Sequence, residues 1–292
     1  MKNKMQNTIH GTLVLPILIT SFILLFNCSK DSTVQPETAP AGYNENNDIA
    51  ESIASDIGED NGGLTDQIAD LFAMTGSASL GKNSTSLVDS KESVYDSTSG
   101  SWTITVTRER GNPNGTNYAH IMRVYNVQFL NDAGLAQQFW LTDGDTASTI
   151  KFKIVEGEGR HKTLRLSQEL KYLEGDFTAT GTNTDIVTVN GTYKRAAVDT
   201  ITTMRLTRIH DHSIDLTITD LKGPRGSRND LSQKISGSIT GTHNAHVTFI
   251  SDNSYRERTI TRDINIVIEN GNANININKQ VYSGDLGSGE LN

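Results

Sequence analysis

Cysteine is nearly absent: Cys28 is the only one in 292 residues. A lone thiol excludes an internal disulfide and any metal site built on several thiolates. Proline is scarce as well, and two of the five, Pro36 and Pro40, fall in one short polar stretch. No apolar run after Phe26 approaches the ~20 residues that span a bilayer. No basic patch or run stands out in the body, and nucleic-acid binding is disfavoured. The nucleophile elbow G-x-S-x-G, the P-loop and the H-E-x-x-H zinc signature are also absent.

What is present begins at the N-terminus. Lys2 and Lys4 precede an apolar run, Leu13 to Phe26, interrupted only by Pro16, Thr20 and Ser21. The run is short for a membrane span and fits a signal-peptide core, yet no small-residue A-x-A exit site follows. Leu25-Phe26-Asn27-Cys28 follows instead, with Phe26 and Asn27 where small residues are usual. It resembles the lipobox of bacterial lipoproteins, with Leu at −3 and Cys at +1. That resemblance implies removal of residues 1–27 and acylation of Cys28 by palmitate-like chains. It also implies a cell-envelope address, as a lipid-anchored protein of the outer membrane. Each buried CH₂ adds ~0.8 kcal/mol, so two or three chains anchor the protein durably. Ser29-Lys30-Asp31 resembles the export tags that some Gram-negative lineages place after the acylated cysteine. The alternative is an uncleaved anchor with a free thiol.

Charge is uneven along the chain. Residues 28–100 hold 3 basic and 13 acidic side chains, whereas residues 101–292 hold 21 of each. Residues 28–47 are polar and bury little, which predicts a flexible acidic tether. Residues 48–75 predict a short helical segment. Asp48-Ile49-Ala50-Glu51 reads as its start, and Ile49, Ile53 and Ile57 share one face. Asp60-Asn61-Gly62-Gly63 ends the first helix, and Leu64, Ile68, Leu71 and Phe72 mark a second. Both stripes are narrow, so the helices are expected to pack on the body. Residues 76–100 predict an irregular linker.

From residue 101 the apolar period becomes two, and turn clusters recur at 111–115, 131–134, 143–145, 157–159 and 223–226. Residues 101–292 therefore predict a mainly β body, an antiparallel meander forming a half-barrel or a sandwich. Asn270-Gly271 predicts a two-residue hairpin that pairs Ile268 with Ala273, Ile266 with Ile275 and Ile264 with Ile277. Asn190-Gly191 fails the same test, because Val187 would meet Lys194, and reads as a bulge or an in-strand glycine. Stretches 204–218 and 235–249 also pair, with Leu216 opposite Ile239, Leu206 opposite Phe249 and His212 opposite His243.

Arg208, His210 and His212 interrupt the apolar stripe of 204–218 and form, with His243, a polar cluster. On a strand, His210 and His212 share a face, and His243 or His246 offers a third metal ligand. Burying such groups unpaired costs several kcal/mol, so they must pair, bind an ion or meet water. The expected outcome is pairing or exposure, with no metal and no cofactor. Asp143-Gly144-Asp145 reads as a hydrated turn rather than a calcium loop. Glu156 and Glu158 read as a Gly-rich turn rather than a glycosidase pair. Tyr118, Tyr125, Phe129, Phe139 and Trp140 read as core rather than a sugar platform. No catalytic residue is assigned. The expectation is a membrane-anchored, non-catalytic binding or structural module, with a lipid or other apolar ligand as cargo of a concave face. The alternative is an envelope hydrolase using His210 and His212.

Overall fold

The computed structural model describes residues 45–76, 90–204, 206–251 and 254–292. The signal segment, Cys28 and most of the tether lie outside these residues, as does 77–89 of the linker. Two helices come first, α1 (Glu45–Ile57) and α2 (Leu64–Met74). The strands that follow are β1 (Ser90–Asp96), β2 (Ser101–Gly111), β3 (Tyr118–Leu130), β4 (Ala136–Gln137), β5 (Leu141–Thr142) and β6 (Asp145–Thr146). Next come β7 (Thr149–Lys162), β8 (Leu166–Thr180), β9 (Ile186–Thr202), β10 (Thr207–Pro224) and β11 (Ser236–Ser251). The last three are β12 (Ser254–Glu269), β13 (Asn272–Ile277) and β14 (Gln280–Asp285).

All but β5 and β6 join one antiparallel sheet, which runs in sequence order from β1 to β14 with β4 attached to β3. The sheet is open, and there is no second layer of comparable size, so the sandwich is excluded. Each long strand alternates buried and exposed residues, as in β3, where Ala119, Ile121, Tyr125, Val127 and Phe129 point inward. The outward rows are mostly polar, with scattered exposed apolar residues such as Val94, Val155 and Val267. On β10 the row is Asp211, Asp215, Thr217 and Thr219, all exposed.

The inner face is occupied by the helices. Flat, the eleven strands of the main row would span ~50 Å at ~4.8 Å each, against ~10 Å for a helix. Yet α1 meets Gln168 on β8, Arg195 on β9, His212 on β10, Arg262 on β12 and Gly284 on β14. The segment after α1 and α2 itself reach Arg123 on β3 and Arg108 on β2. Such reach requires the sheet to curl around the helix pair. The apolar face Ile49, Ile53 and Ile57 is buried as expected, but so are Ser52, Ser55 and Asp56 on other sides of α1. Nearly every residue of α2 is buried.

Several local expectations change. Helix α1 begins at Glu45, three positions before Asp48, with acidic Glu45 and Asp48 in the first turn, where the helix dipole favours them. Strand β1 lies within the linker predicted for 76–100, and it pairs with β2 from Ser90↔Thr107 to Asp96↔Ser101. Residues 157–159 are no turn: β7 runs straight through them. A Cβ on Gly157 would lie 2.5 Å from Leu173 Cδ2, so the leucine of the neighbouring strand packs over the glycine.

The Asn270-Gly271 hairpin forms in the expected register, with Ile264 opposite Ile277. Asn190-Gly191 is in-strand, Gly191 lying opposite Phe177 and Ile218. The β10–β11 register is displaced by two residues from the expected one: Leu216 faces Gly241, His212 faces Ala245 and Ile214 faces His243. Beyond this run a bulge between Thr219 and Lys222, with Asp220 at φ 49°, shifts the pairing by one further residue and moves the buried positions of β10 from even to odd numbers, Ile218 then Leu221. Gly241 tolerates its position, where a Cβ would lie 2.0 Å from the Asp215 carbonyl oxygen.

Candidate functional site: a buried acid–base network between helices and sheet

Between Glu45 and Met74 the chain carries eight carboxylates and no Lys or Arg. The inward face of the sheet carries the complementary charge. Asp66 and Asp70 of α2 take Arg108 of β2 at 2.7 and 2.5 Å. Arg228, from the β10–β11 connection, joins both, 3.1 Å from Asp66. Tyr125 donates its hydroxyl to Asp70 at 2.7 Å. Burial alone would raise the Asp70 carboxyl pKa, but Arg108 and Arg228 outweigh it and hold it below its usual value.

Asp48 of α1 takes Arg208 at 2.6 Å, and Asp56 takes Arg195 at 2.9 Å. Arg123 has no carboxylate. Its guanidinium donates to the carbonyls of Met122, Glu158 and Gly62, the last at 2.8 Å. Gly62 O also accepts from Arg195 Nη1 and Gln67 Nε2, so three side chains converge on the turn between the helices.

The histidines lie in the middle of this network. His212 Nε2 is 2.9 Å from Asp56 Oδ2 and 3.2 Å from Ser52 Oγ, and its Nδ1 is 3.7 Å from Asp199 Oδ2. Ser52 donates its hydroxyl to Asp199 Oδ2 at 3.2 Å. Burial would lower the pKa of His212, but Asp56 and Asp199 prevail and push it up to about 9. His212 is therefore a buried imidazolium at neutral pH. Asp199 is raised, chiefly by burial and further by Asp56.

His243 stacks on His212, with ring centroids 5.5 Å apart and planes at 15°. The expected juxtaposition thus forms on a diagonal rather than between paired residues. Burial, then the charge of His212, lowers His243 to about 3 and His210 to about 4. Neither ring nitrogen of His210 or of His243 has a hydrogen-bond partner.

Of the predicted polar cluster, Arg208 and His212 are paired, while His210 and His243 are buried without hydrogen bonds. All three histidines are buried, each at most 2 % exposed; His212 takes the paired form of the expectation, and His210 Nε2 lies 3.7 Å from Asp48 Oδ2. His246 is excluded as a third ligand because it projects from the other face, beside Glu257 at 3.7 Å. Among the described residues no His, Cys, Asp or Glu group has metal-ligand geometry. Asp143-Gly144 forms the tight turn between β5 and β6, with φ 53° and 87°. Glu156 and Glu158 are exposed on the outward face of β7. Tyr125 and Phe129 are core, and Tyr125 stacks on Phe152 at 4.6 Å. Phe139 and Trp140 are half-buried in the β3–β7 connection, so the predicted aromatics make no single platform.

Ser52, Asp56 and Asp199 were not singled out in the sequence. The available signal was the acidic helix pair facing inward-pointing Arg and His at period two. Chemically, Ser52, His212 and two aspartates contain the parts of a nucleophilic triad. Here Ser52 and Asp56 crowd onto the same imidazole nitrogen, Asp199 stands 3.7 Å from the opposite one, beyond hydrogen-bond distance, and the Ser52 hydroxyl proton points to Asp199 rather than to the imidazole. In a working triad serine and aspartate occupy opposite nitrogens. All four side chains are also buried. The arrangement ties α1 to β9 and β10. No protein-family model matches the chain, and no curated protein or solved structure is measurably similar to it.

Proposed function

We propose that the chain is a lipid-anchored lipoprotein of a bacterial cell envelope, whose β body is a non-catalytic binding or structural module. The observation that carries the reading is Cys28, the sole thiol, placed directly after the signal-like run Leu13–Phe26. The body supports the second half. Its ionisable interior is spent on holding α1 and α2 against the sheet, and its outward face is mostly polar.

An apolar cargo would share the concave face with Ile49, Ile53, Ile68 and Phe72, which cover it. A ligand of that kind therefore requires the helices to shift. The hydrolase alternative now centres on Ser52 and His212 and requires the same opening.

Native mass spectrometry of protein from its own membranes tests the reading. Cleavage before Cys28, the added mass of two or three acyl chains, and loss of both chains and membrane fractionation in Cys28→Ala are expected. An alanine variant that remains in the detergent phase with unchanged mass refutes the anchor. Co-purifying lipid favours the carrier form, and turnover of generic esters abolished by His212→Gln favours the hydrolase.

A further inference from the structure

The sheet has two unlike rims. At one, the connections β3–β7 and β8–β9 expose Asp132, Asp143, Asp145 and Asp185. At the other, the β7–β8 and β9–β10 connections present apolar tips, and β12 begins beside them with an exposed tyrosine whose hydroxyl donates to Glu257. Leu164, between β7 and β8, is 82 % exposed; Met204, between β9 and β10, is fully exposed; Tyr255, at the start of β12, is 64 % exposed. These segments are neighbours. Thr202 N donates to Arg165 O at 2.9 Å, Thr207 lies opposite Ile250, and Ile250 lies opposite Tyr255. Exposed Lys162 and Arg165 flank Leu164, with Arg160 close behind and no acidic residue from Arg160 to Gln168.

The chain enters α1 at this same rim. Glu45 pairs with Arg258 at 2.6 Å, and Asn46 donates to Gln280, next to the Asn278-Lys279 turn. We infer that this rim is a membrane-facing surface: Leu164, Met204 and Tyr255 enter the headgroup layer of the bilayer, and Lys162 and Arg165 bind its anionic headgroups. An amphipathic tyrosine and aliphatic tips beside basic side chains are the composition that partitions into such an interface.

The inference rests on the lipoprotein reading for which bilayer is met.

The test uses the chain from Ser29 onward, without acylation, and vesicles of phosphatidylethanolamine and phosphatidylglycerol. Co-sedimentation is expected, weakening as salt screens the basic residues. The double variant L164S/M204S should bind about tenfold more weakly, ~1.4 kcal/mol, with an unchanged melting temperature because both side chains are exposed. Absence of co-sedimentation by the parent chain overturns the inference, as does equal binding by the double variant. Acylation of Cys28, read separately from the native mass, separates the two ideas. An unacylated native protein whose rim binds vesicles sinks the anchor alone, and an acylated protein whose rim ignores them sinks the rim alone.

Discussion

Asp56 of α1 accepts a hydrogen bond from His212 of β10 at 2.9 Å, with both side chains fully buried. The contact joins residues 156 positions apart and ties the first helix to the middle of the sheet. Asp56 also neutralises Arg195, so one carboxylate serves two buried cations. Buried ion pairs contribute little net stability compared with apolar packing, but breaking one leaves a charge stranded in a poor solvent.

Asp56→Asn should therefore destabilise the body by ~3–5 kcal/mol. Urea unfolding followed by circular dichroism measures this. Asp215→Asn is the control: its pair with Lys194 is about half exposed on both sides, and its loss should cost under ~1 kcal/mol. Equal losses in the two variants would mean that the interior pair is not the tie described.

The alternation of Ile, Val and Thr and the Asn-Gly turn carried the antiparallel meander, because period two and turn chemistry are local properties. The β10–β11 register was less legible. Shifts by two keep every side chain on its face, so the pattern does not choose among them, and the bulge at Asp220 is met by Asn190 of the adjacent strand, whose Oδ1 accepts from Asp220 N. The placement of the helices was legible only as a tendency to pack. Narrow apolar stripes suggest a helix lying on a surface, whereas α1 and α2 are enclosed, with their polar sides neutralised by Arg108, Arg195 and Arg208. Within the polar cluster Arg208 and His212 take Asp48 and Asp56, more than a hundred residues away, where no spacing rule reaches, while Asp199 comes from the adjacent strand.

Ser52→Ala separates the two functional readings. The hydroxyl lies between Asp199 and His212, so its removal should cost ~1–3 kcal/mol through an under-satisfied buried carboxylate. Activity on ester substrates, if the parent shows any, should persist in this variant on the non-catalytic reading of Ser52. Turnover in the parent that disappears in Ser52→Ala, in protein still folded by circular dichroism, would restore the triad.

Mild proteolysis should trim the chain before Glu45 and leave the rest intact. Residues 29–44 are polar and bury little by composition, whereas from Glu45 onward the backbone is tied into helix α1. Mass spectrometry of the limit fragment reads this directly. Early cuts within α1 or α2 would mean that the helices leave the sheet readily, the motion that a carrier requires.

Stability should pass through a maximum near pH 6.5. The folded pKa of His212 is raised to about 9, so its contribution is complete below its unfolded value of 6.5 and is lost as pH rises toward 9. His210 and His243 have folded values lowered to about 4 and about 3. Below pH 6.5 the unfolded chain takes protons that these two refuse, so their contribution disappears as pH falls from 6.5 toward 3–4. Each limb should slope at ~1.4 kcal/mol per pH unit for every proton by which the two states differ. On the acid limb the two histidines act together and are opposed by Asp199, whose raised carboxyl takes up a proton first in the folded chain. Urea midpoints collected from pH 4 to 9 give both slopes. In His243→Gln the acid limb should become less steep, and in His212→Gln the alkaline limb should flatten. A profile that rises steadily from pH 6.5 to 9 would contradict the charged His212 on which the whole network depends.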